Sequence, residues 1–315
     1  MPPETTGRAA RVSRVEQNGR PEQIEIRTED GVALRADVRE PPKKKLIGTA
    51  VLSHAMFARK SEFERPEGDG LARLFALRGW RTIAFDFRGH GESGIGAAQG
   101  GTWTYDDLVQ RDMPAVVAAA RARAKRLPIV VVGHSLGGHV ALAAQGMGVL
   151  GADAIIAVAA NVWIRALEPS LARWAIKRAT FAAIDLVCRR RGYFPARALR
   201  MGSDDESAAY FASFERYART GTWGTDDGRV DYLAALRDVV APVFAIASDG
   251  DRINCHPACA ELLLARVSGK ARFERVRQSD DGGPAPGHME LVTTPRARRA
   301  WVSALDWLDE TLSRR

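Results

Sequence analysis

Short runs of aliphatic and β-branched residues alternate along this chain with longer stretches in which apolar positions recur every three or four residues. That alternation predicts βαβ units and a mostly parallel sheet. The first two runs, Gln23–Arg27 and Val32–Val38, flank Glu29-Asp30-Gly31, whose Asp-Gly step predicts a hairpin. Central strands are expected at Thr49–Ser53, Thr82–Phe85, Ile129–Val132, Ala154–Ala159, Val243–Ala247 and Ala271–Arg277. A parallel strand buried on both faces reads as an unbroken apolar run, as VVV at 130–132 and AIIAVAA at 154–160 do. Helical spacing fills the gaps at Leu71–Leu77, Asp107–Lys125, Leu136–Gly146, Pro257–Val267 and Pro295–Leu312.

The stretch from Asn161 to Leu236 carries no strand signal, is rich in Trp, Arg and Ala, and is too long for a simple crossover. It is expected to be a mostly helical cap inserted into the sheet domain. The organisation expected is a polar, disordered leader over 1–22, a core from 23–160 and 237–315, and the cap over 161–236. No internal repeat or low-complexity linker breaks this pattern.

Composition adds mainly exclusions. The 315 residues are 46% hydrophobic and 27% charged, enough apolar material for a core. No apolar run approaches the ~18 residues of a membrane helix, and the leader lacks a signal peptide's apolar segment. A cytoplasmic protein is the reading. The net charge of +8 is carried mostly by scattered arginines without any nucleic-acid motif, so no nucleic-acid partner is expected. Three cysteines make no disulfide framework; Cys255 and Cys259 would hold a metal only if other ligands converged, and reduced thiols are expected.

Candidate chemistry is concentrated in IVVVGHSLGGHVALAAQ, residues 129–145. A strand runs into Gly133-His134-Ser135-Leu136-Gly137 and a small-residue helix follows, the G-x-S-x-G nucleophile elbow in its strand–turn–helix setting. The glycines are needed because Cβ atoms two residues either side of the serine would clash with neighbouring backbone. Ser135 also sits at the positive end of the helix dipole. A serine hydroxyl needs an imidazole to take its proton, and the imidazole needs a carboxylate to fix its tautomer. PVFAIASDGDRIN at 242–254 ends a buried strand in two aspartates, and GHMELV at 287–292 offers His288. Strand alternation cannot separate Asp249 from Asp251, but a bend at Gly250 would carry Asp251 beyond the sheet edge. His256 opens a helix and is set aside. The oxyanion hole should take the amide of Leu136 and a second amide from Ser53-His54-Ala55-Met56-Phe57.

Four motifs in order across about residues 24–312 resemble the α/β-hydrolases of the serine-aminopeptidase and monoglyceride-lipase-like branch, in a poorly characterised bacterial subgroup. They are Ser53-His54-Ala55, the loop Asp86-Phe87-Arg88-Gly89-His90-Gly91-Glu92-Ser93, the elbow, and the pair Asp251 and His288. A segment Gly192–Pro195 in the cap is shared with that subgroup. The resemblance implies a Ser135–His288–Asp251 triad, Met56 as the second oxyanion amide, and hydrolysis of an ester, thioester or amide without metal or organic cofactor. It makes His54, His90 and His134 structural. His139 is read as a packed or surface histidine.

Two departures stand out: Ala55 replaces the glycine of the first motif, and Ser248 the glycine before the acid. The main expectation is a carboxylic-ester hydrolase acting on a small-molecule ester. The alternatives are an aminopeptidase, for which Asp204-Asp205-Glu206 would hold the substrate ammonium, a monoacylglycerol-lipase-like enzyme, and a catalytically silent receptor. Trp163, Trp174, Phe181, Phe194, Phe211 and Phe214 are expected either to form the cap's own core or to line an acyl pocket. Arg189-Arg190-Arg191 reads as a solvated face.

Overall fold

The computed structural model describes residues 21–42 and 44–312; the expected leader falls outside them except for its last two residues. Eight strands form one sheet: β1 (Glu22–Arg27), β2 (Ala33–Arg39), β3 (Gly48–Ser53), β4 (Trp80–Phe85), β5 (Ile129–His134), β6 (Ala154–Val158), β7 (Val243–Ser248) and β8 (Ala271–Val276). Their order is β1-β2-β4-β3-β5-β6-β7-β8. β1 and β2 form the expected hairpin and β2 pairs antiparallel with β4; every other pairing is parallel. The unbroken apolar runs of β3, β5, β6 and β7 are buried along their whole length.

Alternation along each strand feeds two cores. Val51, Ile129 and Val131 face one side of the sheet, where α2 (Met113–Ala124) and α3 (Leu136–Gly146) pack. Ala50, Leu52, Val130 and Val132 face the other, against Leu71 and Phe75 of α1 (Leu71–Leu77), and there Trp301 and Leu305 of a C-terminal helix also pack. Each fully buried aliphatic side chain contributes about 1.5–3 kcal/mol, so both faces are needed to hold the central strands.

Helix ends depart from the sequence expectation where a cap or a bulge intervenes. The helix expected from Asp107 begins at Tyr105, because Thr104 and Asp107 form a reciprocal capping box. It then passes through a π-turn at Leu108–Asp112 before α2. That turn brings the buried Asp112 carboxylate onto the Arg88 guanidinium, 2.8 Å from Nε. The helix expected from Pro257 ends early, at Leu264, and the C-terminal helix opens with a 3-10 turn at Pro295–Ala297.

Between β6 and β7 run two long helices, α4 (Leu171–Arg191) and α5 (Ala208–Thr220). α4 begins at Ser170, whose side chain accepts from the Arg173 N–H, and stops at Gly192, which takes the left-handed conformation. Its inward stripe is Lys177, Phe181, Ile184 and Cys188, at helical spacing. A small hairpin, which the sequence did not announce, pairs Tyr193–Phe194 with Glu206–Ser207.

That hairpin carries the charge that fastens this segment to the core. The Glu206 carboxylate accepts from His90 Nε2 at 3.0 Å, both side chains being buried. Burial pulls the His90 imidazolium down, but the Glu206 charge and hydrogen bond outweigh it and lift the pKa to about 9. Arg59 clamps Asp204 from two sides, with Nη2 2.6 Å from Oδ1, and the Gly91 N–H donates to the same carboxylate at 3.1 Å.

A raised folded-state pKa stabilises fully below the unfolded value of 6.5 and is lost as pH climbs through about 9. Urea unfolding of the wild type should therefore show stability falling from pH 6.5 to 9, and Glu206→Gln should flatten that fall. Parallel pH profiles for the two proteins would contradict the His90–Glu206 linkage.

Candidate active site

β5 delivers the candidate nucleophile. Its last residue, His134, is followed by Ser135 at φ 49°, a left-handed backbone rare outside glycine, and the chain turns at once into α3. The Ser135 N–H donates to Val158 O at 2.7 Å and the Gly137 N–H to His54 O at 3.2 Å, so the turn is bound on both sides by neighbouring strand ends. A Cβ on Gly137 would lie 2.3 Å from Ser53 O, and one on Gly133 2.3 Å from the Gly138 nitrogen. Close backbone approach makes glycine necessary at both positions.

The other predicted residues arrive at the same C-terminal sheet edge. β7 ends at Ser248; Asp251 follows, 3% exposed, and its Oδ2 is in short contact with His288 Nδ1. Oδ1 accepts the Asn254 N–H at 3.0 Å. Burial would raise the Asp251 pKa, but the His288 hydrogen bond and the amides of Asn254 and Cys255 hold it below the ordinary carboxylate value. Asp249 points elsewhere and pairs with Arg275 at 2.7 Å.

Gly250 serves close approach more than bending: a Cβ there would meet Ala285 O at 2.2 Å and Pro286 O at 2.5 Å. Ser248 adds a tie, since its hydroxyl donates to Pro286 O at 2.6 Å and accepts the Gly250 N–H at 3.1 Å. The residue that departs from the family glycine thus joins the acid strand to the histidine loop, a role the sequence did not signal.

Ser135, Leu136, Met56 and His288 all open onto one cavity of about 370 Å³. No hydrogen bond joins Ser135 Oγ to His288 in this structure; such contacts often tighten only when substrate is bound. The amides of Leu136 and Met56 have no acceptor among the described residues. The Ala55 N–H is occupied by Glu62 at 3.2 Å, and Ala55 is absent from the left-handed residues, so its methyl group is accommodated there.

His134 stacks beside His288, with centroids 5.1 Å apart, and its Nε2 lies 3.2 Å from His288 O. Its Nδ1 lies 3.1 Å from Glu62, which thereby braces both the first motif and the histidine loop. His54 accepts the Phe87 N–H at 3.1 Å, and burial pulls its pKa down to about 3. His54, His90 and His134 are thus all buried within the scaffold.

The cap aromatics divide. Trp163, Phe181, Phe211 and Phe214 line the cavity, Phe194 packs behind Phe211, and Trp174 lies apart. The acidic run expected as an ammonium anchor is committed elsewhere: Asp204 to Arg59, Asp205 to the Arg197 N–H at 3.0 Å, and Glu206 to His90 and the Phe57 N–H. None of the three reaches the cavity. Buried carboxylates must be paired, and Asp204 and Glu206 are paired within the fold, while the half-buried Asp205 caps a backbone N–H away from the cavity. Arg189-Arg190-Arg191 is exposed at the end of α4.

Cys255 and Cys259 are buried on separate acceptors, Ala160 O and Glu168 Oε2, and no cluster of three or more His, Cys, Asp or Glu residues among the described residues is arranged for a metal. No helix among them is long and apolar enough to cross a membrane.

A sequence model of the serine aminopeptidase (S33) family matches residues 67–213, from just before α1 through the elbow into α5. Solved structures align over nearly the whole chain. A soluble variant of monoglyceride lipase from Saccharomyces cerevisiae, bound to a substrate analogue, is 16% identical with a TM-score of 0.65, covering 96% of this chain and 99% of its own. The chain has the α/β-hydrolase fold. Est1E from Butyrivibrio proteoclasticus, bound to ferulic acid, gives 14% identity and a TM-score of 0.61 over 93% of this chain and 100% of its own. An esterase from Pyrococcus furiosus gives 17% and 0.58 over 93% and 91%. No curated protein sequence matches this chain. At these identities the structures speak for the fold.

The two aspartates are separable by experiment. Asp251→Asn should leave the fold intact and lower kcat by up to ~10⁴, since the imidazole loses its orienting carboxylate. Asp249→Asn, which only frees Arg275 at the surface, should cost about tenfold or less. Steady-state kinetics on one ester decides between them, and a larger loss at Asp249 reverses the assignment.

Proposed function

We propose that this hydrolase cleaves carboxylic esters through an acyl-enzyme on Ser135. The observation that carries the reading is one cavity that joins the elbow serine, a histidine paired to a buried aspartate and two free amides to a mainly apolar wall. Ser135 Oγ adds to the ester carbonyl while His288 Nε2 takes its proton. Asp251 keeps the Nδ1 proton in place and stabilises the imidazolium, and the amides of Leu136 and Met56 receive the oxyanion. Collapse of the tetrahedral intermediate breaks the bond to the alkoxy oxygen, which leaves as alcohol with the proton from His288. Water, deprotonated by the same imidazole, then attacks the acyl-enzyme, and Ser135 recovers its proton as the acid departs.

Residues 161–236 act in this reading as a cap that shapes the acyl site. Phe181, Ile184, Phe211 and Phe214 supply apolar wall, and no carboxylate, lysine or arginine lines the cavity. That absence of a counter-ion for a substrate ammonium speaks against the aminopeptidase alternative. A complete set of catalytic groups speaks against a silent receptor. A monoacylglycerol-lipase-like activity belongs to the same ester class and is a matter of chain length and leaving group.

Ser135→Ala should abolish fluorophosphonate labelling and lower turnover by ~10³–10⁶. In a panel of p-nitrophenyl esters and aminoacyl-anilides, the esters should be turned over far faster. Labelling of the alanine variant at the wild-type rate, or faster anilide cleavage, sinks the proposal.

Shortening Phe181 or Ile184 to Ala should move the preferred acyl group to longer chains, each additional buried methylene being worth about 0.8 kcal/mol. An unchanged chain-length profile would show that the cap does not form the acyl wall.

A further inference from the structure

The inner wall of the cavity holds one polar group that the proposed chemistry does not use. His139 lies on α3 one helical turn beyond Ser135, and its N–H donates to Ser135 O at 3.3 Å. The Cα–Cβ bond of a helical residue leans back toward the helix N-terminus, which turns the ring toward the elbow. The residue is 3% exposed yet contributes to the cavity wall, beside Phe181 and Phe214.

The ring is fixed from behind. Nδ1 lies 2.9 Å from the hydroxyl of the fully buried Tyr105, and the Tyr105 ring stacks on it with centroids 5.6 Å apart. Phe214 and Trp223 close in at 6.2 Å each. Nε2 has no partner among the described residues, and it is not among the buried unpaired atoms, so it opens to the cavity.

The other polar side chains of the wall differ from it. Thr180 donates to Ile176 O at 2.9 Å, and Asn161 donates to Asn254 O while its amide oxygen is sealed off from the cavity. Asn254 gives its backbone N–H to Asp251 and its side chain is exposed to solvent. Burial also pulls the His139 pKa down to about 3, so the ring is uncharged throughout the range in which an ester hydrolase works.

We propose that His139 forms a subsite for a neutral hydroxyl on the acyl chain, so that the substrate is an ester of a hydroxy acid bearing its hydroxyl between C3 and C5. The inference rests on the ester-hydrolase reading of Ser135. Geometry sets the position: His139 lies on the first turn of α3, directly after the Ser135 elbow, and lines the same cavity, so an acyl chain leaving the Ser135 ester along that wall passes the imidazole within its first few carbons. Chemistry sets the group. An uncharged imidazole with no cation nearby gives a carboxylate at most one hydrogen bond against the cost of burying its charge, whereas a neutral hydroxyl donates or accepts as the tautomer requires. An unsubstituted chain leaves Nε2 desolvated and unpaired, and a site built around a hydrogen bond discriminates against the analogue that lacks it.

The test compares kcat/KM for p-nitrophenyl esters of hexanoic, 3-hydroxyhexanoic and 5-hydroxyhexanoic acids in wild type, His139→Leu and His139→Gln. Wild type should prefer one of the hydroxy esters by about tenfold or more. His139→Leu should reverse the preference toward hexanoate, and His139→Gln, which keeps a polar atom at similar reach, should restore part of it. Wild-type indifference to the hydroxyl, or a preference unchanged in His139→Leu, overturns the subsite. Fluorophosphonate labelling of each protein is read separately. A wild type that does not label defeats the ester-hydrolase reading itself, whereas labelled proteins with equal ester ratios defeat only the role of His139. Should the leucine variant fail to fold, the glutamine variant carries the comparison: a preference equal to the wild type's overturns the proposal, and a retained but reduced preference supports it.

Discussion

Everything at the sheet's C-terminal edge depends on how closely the turn at Ser135 is pressed against β3. The Gly137 N–H reaches His54 O, and a methyl group on Gly137 would collide with Ser53. That contact holds a serine in a backbone conformation that is costly for any residue with a side chain, by about 1–3 kcal/mol. The surrounding bonds to Val158 and His54 outweigh the strain. It also sets the loop after Ser53 beside the start of α3, so Met56 and Leu136, from distant parts of the chain, open with Ser135 onto one cavity. A looser elbow would separate them, and the proposed oxyanion site would become two unrelated N–H groups.

A second constraint is the pairing of charge at the boundary between the core and residues 161–236. His90 meets Glu206, Arg59 meets Asp204, and Lys177 on the inward face of α4 meets Glu168 at 2.8 Å. Glu168 is nearly sealed from solvent; burial works against its charge, yet Lys177, Arg173 and the Ser170 N–H hold its pKa near about 2. Replacing one partner of such a pair strands the other without water, which is why buried pairs fix geometry more than they add stability. The cavity wall formed by Phe181 and Phe211 is positioned by these ionic contacts around it, together with the packing of Phe57 on Phe194 and Phe211.

The parts legible in the sequence were those with a local cause. β5, β6 and β7 read as unbroken apolar runs because they are buried on both faces, and the elbow was visible because strand, glycines and helix are contiguous. The separation of Asp251 from Asp249 also followed a local feature, although Gly250 is demanded by the backbone of Ala285 and Pro286 more than by a need to bend. What stayed hidden depends on partners remote in sequence. Nothing near Asp204-Asp205-Glu206 reveals that Arg59, Arg197 and His90 will consume those carboxylates. Lys177 interrupts an apolar stripe, and only Glu168 with the Trp163 ring, 5.3 Å from its Nζ, explains why it faces inward. The hairpin between Tyr193 and Ser207 is two residues per strand, below what periodicity can register.

The histidines show most clearly how environment assigns function on this scaffold. His54 and His139 are both buried and held near a pKa of about 3, yet one is closed on both ring nitrogens while the other turns Nε2 toward a cavity. His90, equally buried, is driven in the opposite direction because a carboxylate sits within hydrogen-bond distance. His288 alone has an aspartate on one nitrogen and an open cavity shared with Ser135 on its other side. Burial alone removes charge, and burial with a carboxylate retains it. The same imidazole thus serves as neutral brace, fixed cation or uncharged wall contact, and in the proposed reaction as general base, according to what the fold places against each nitrogen.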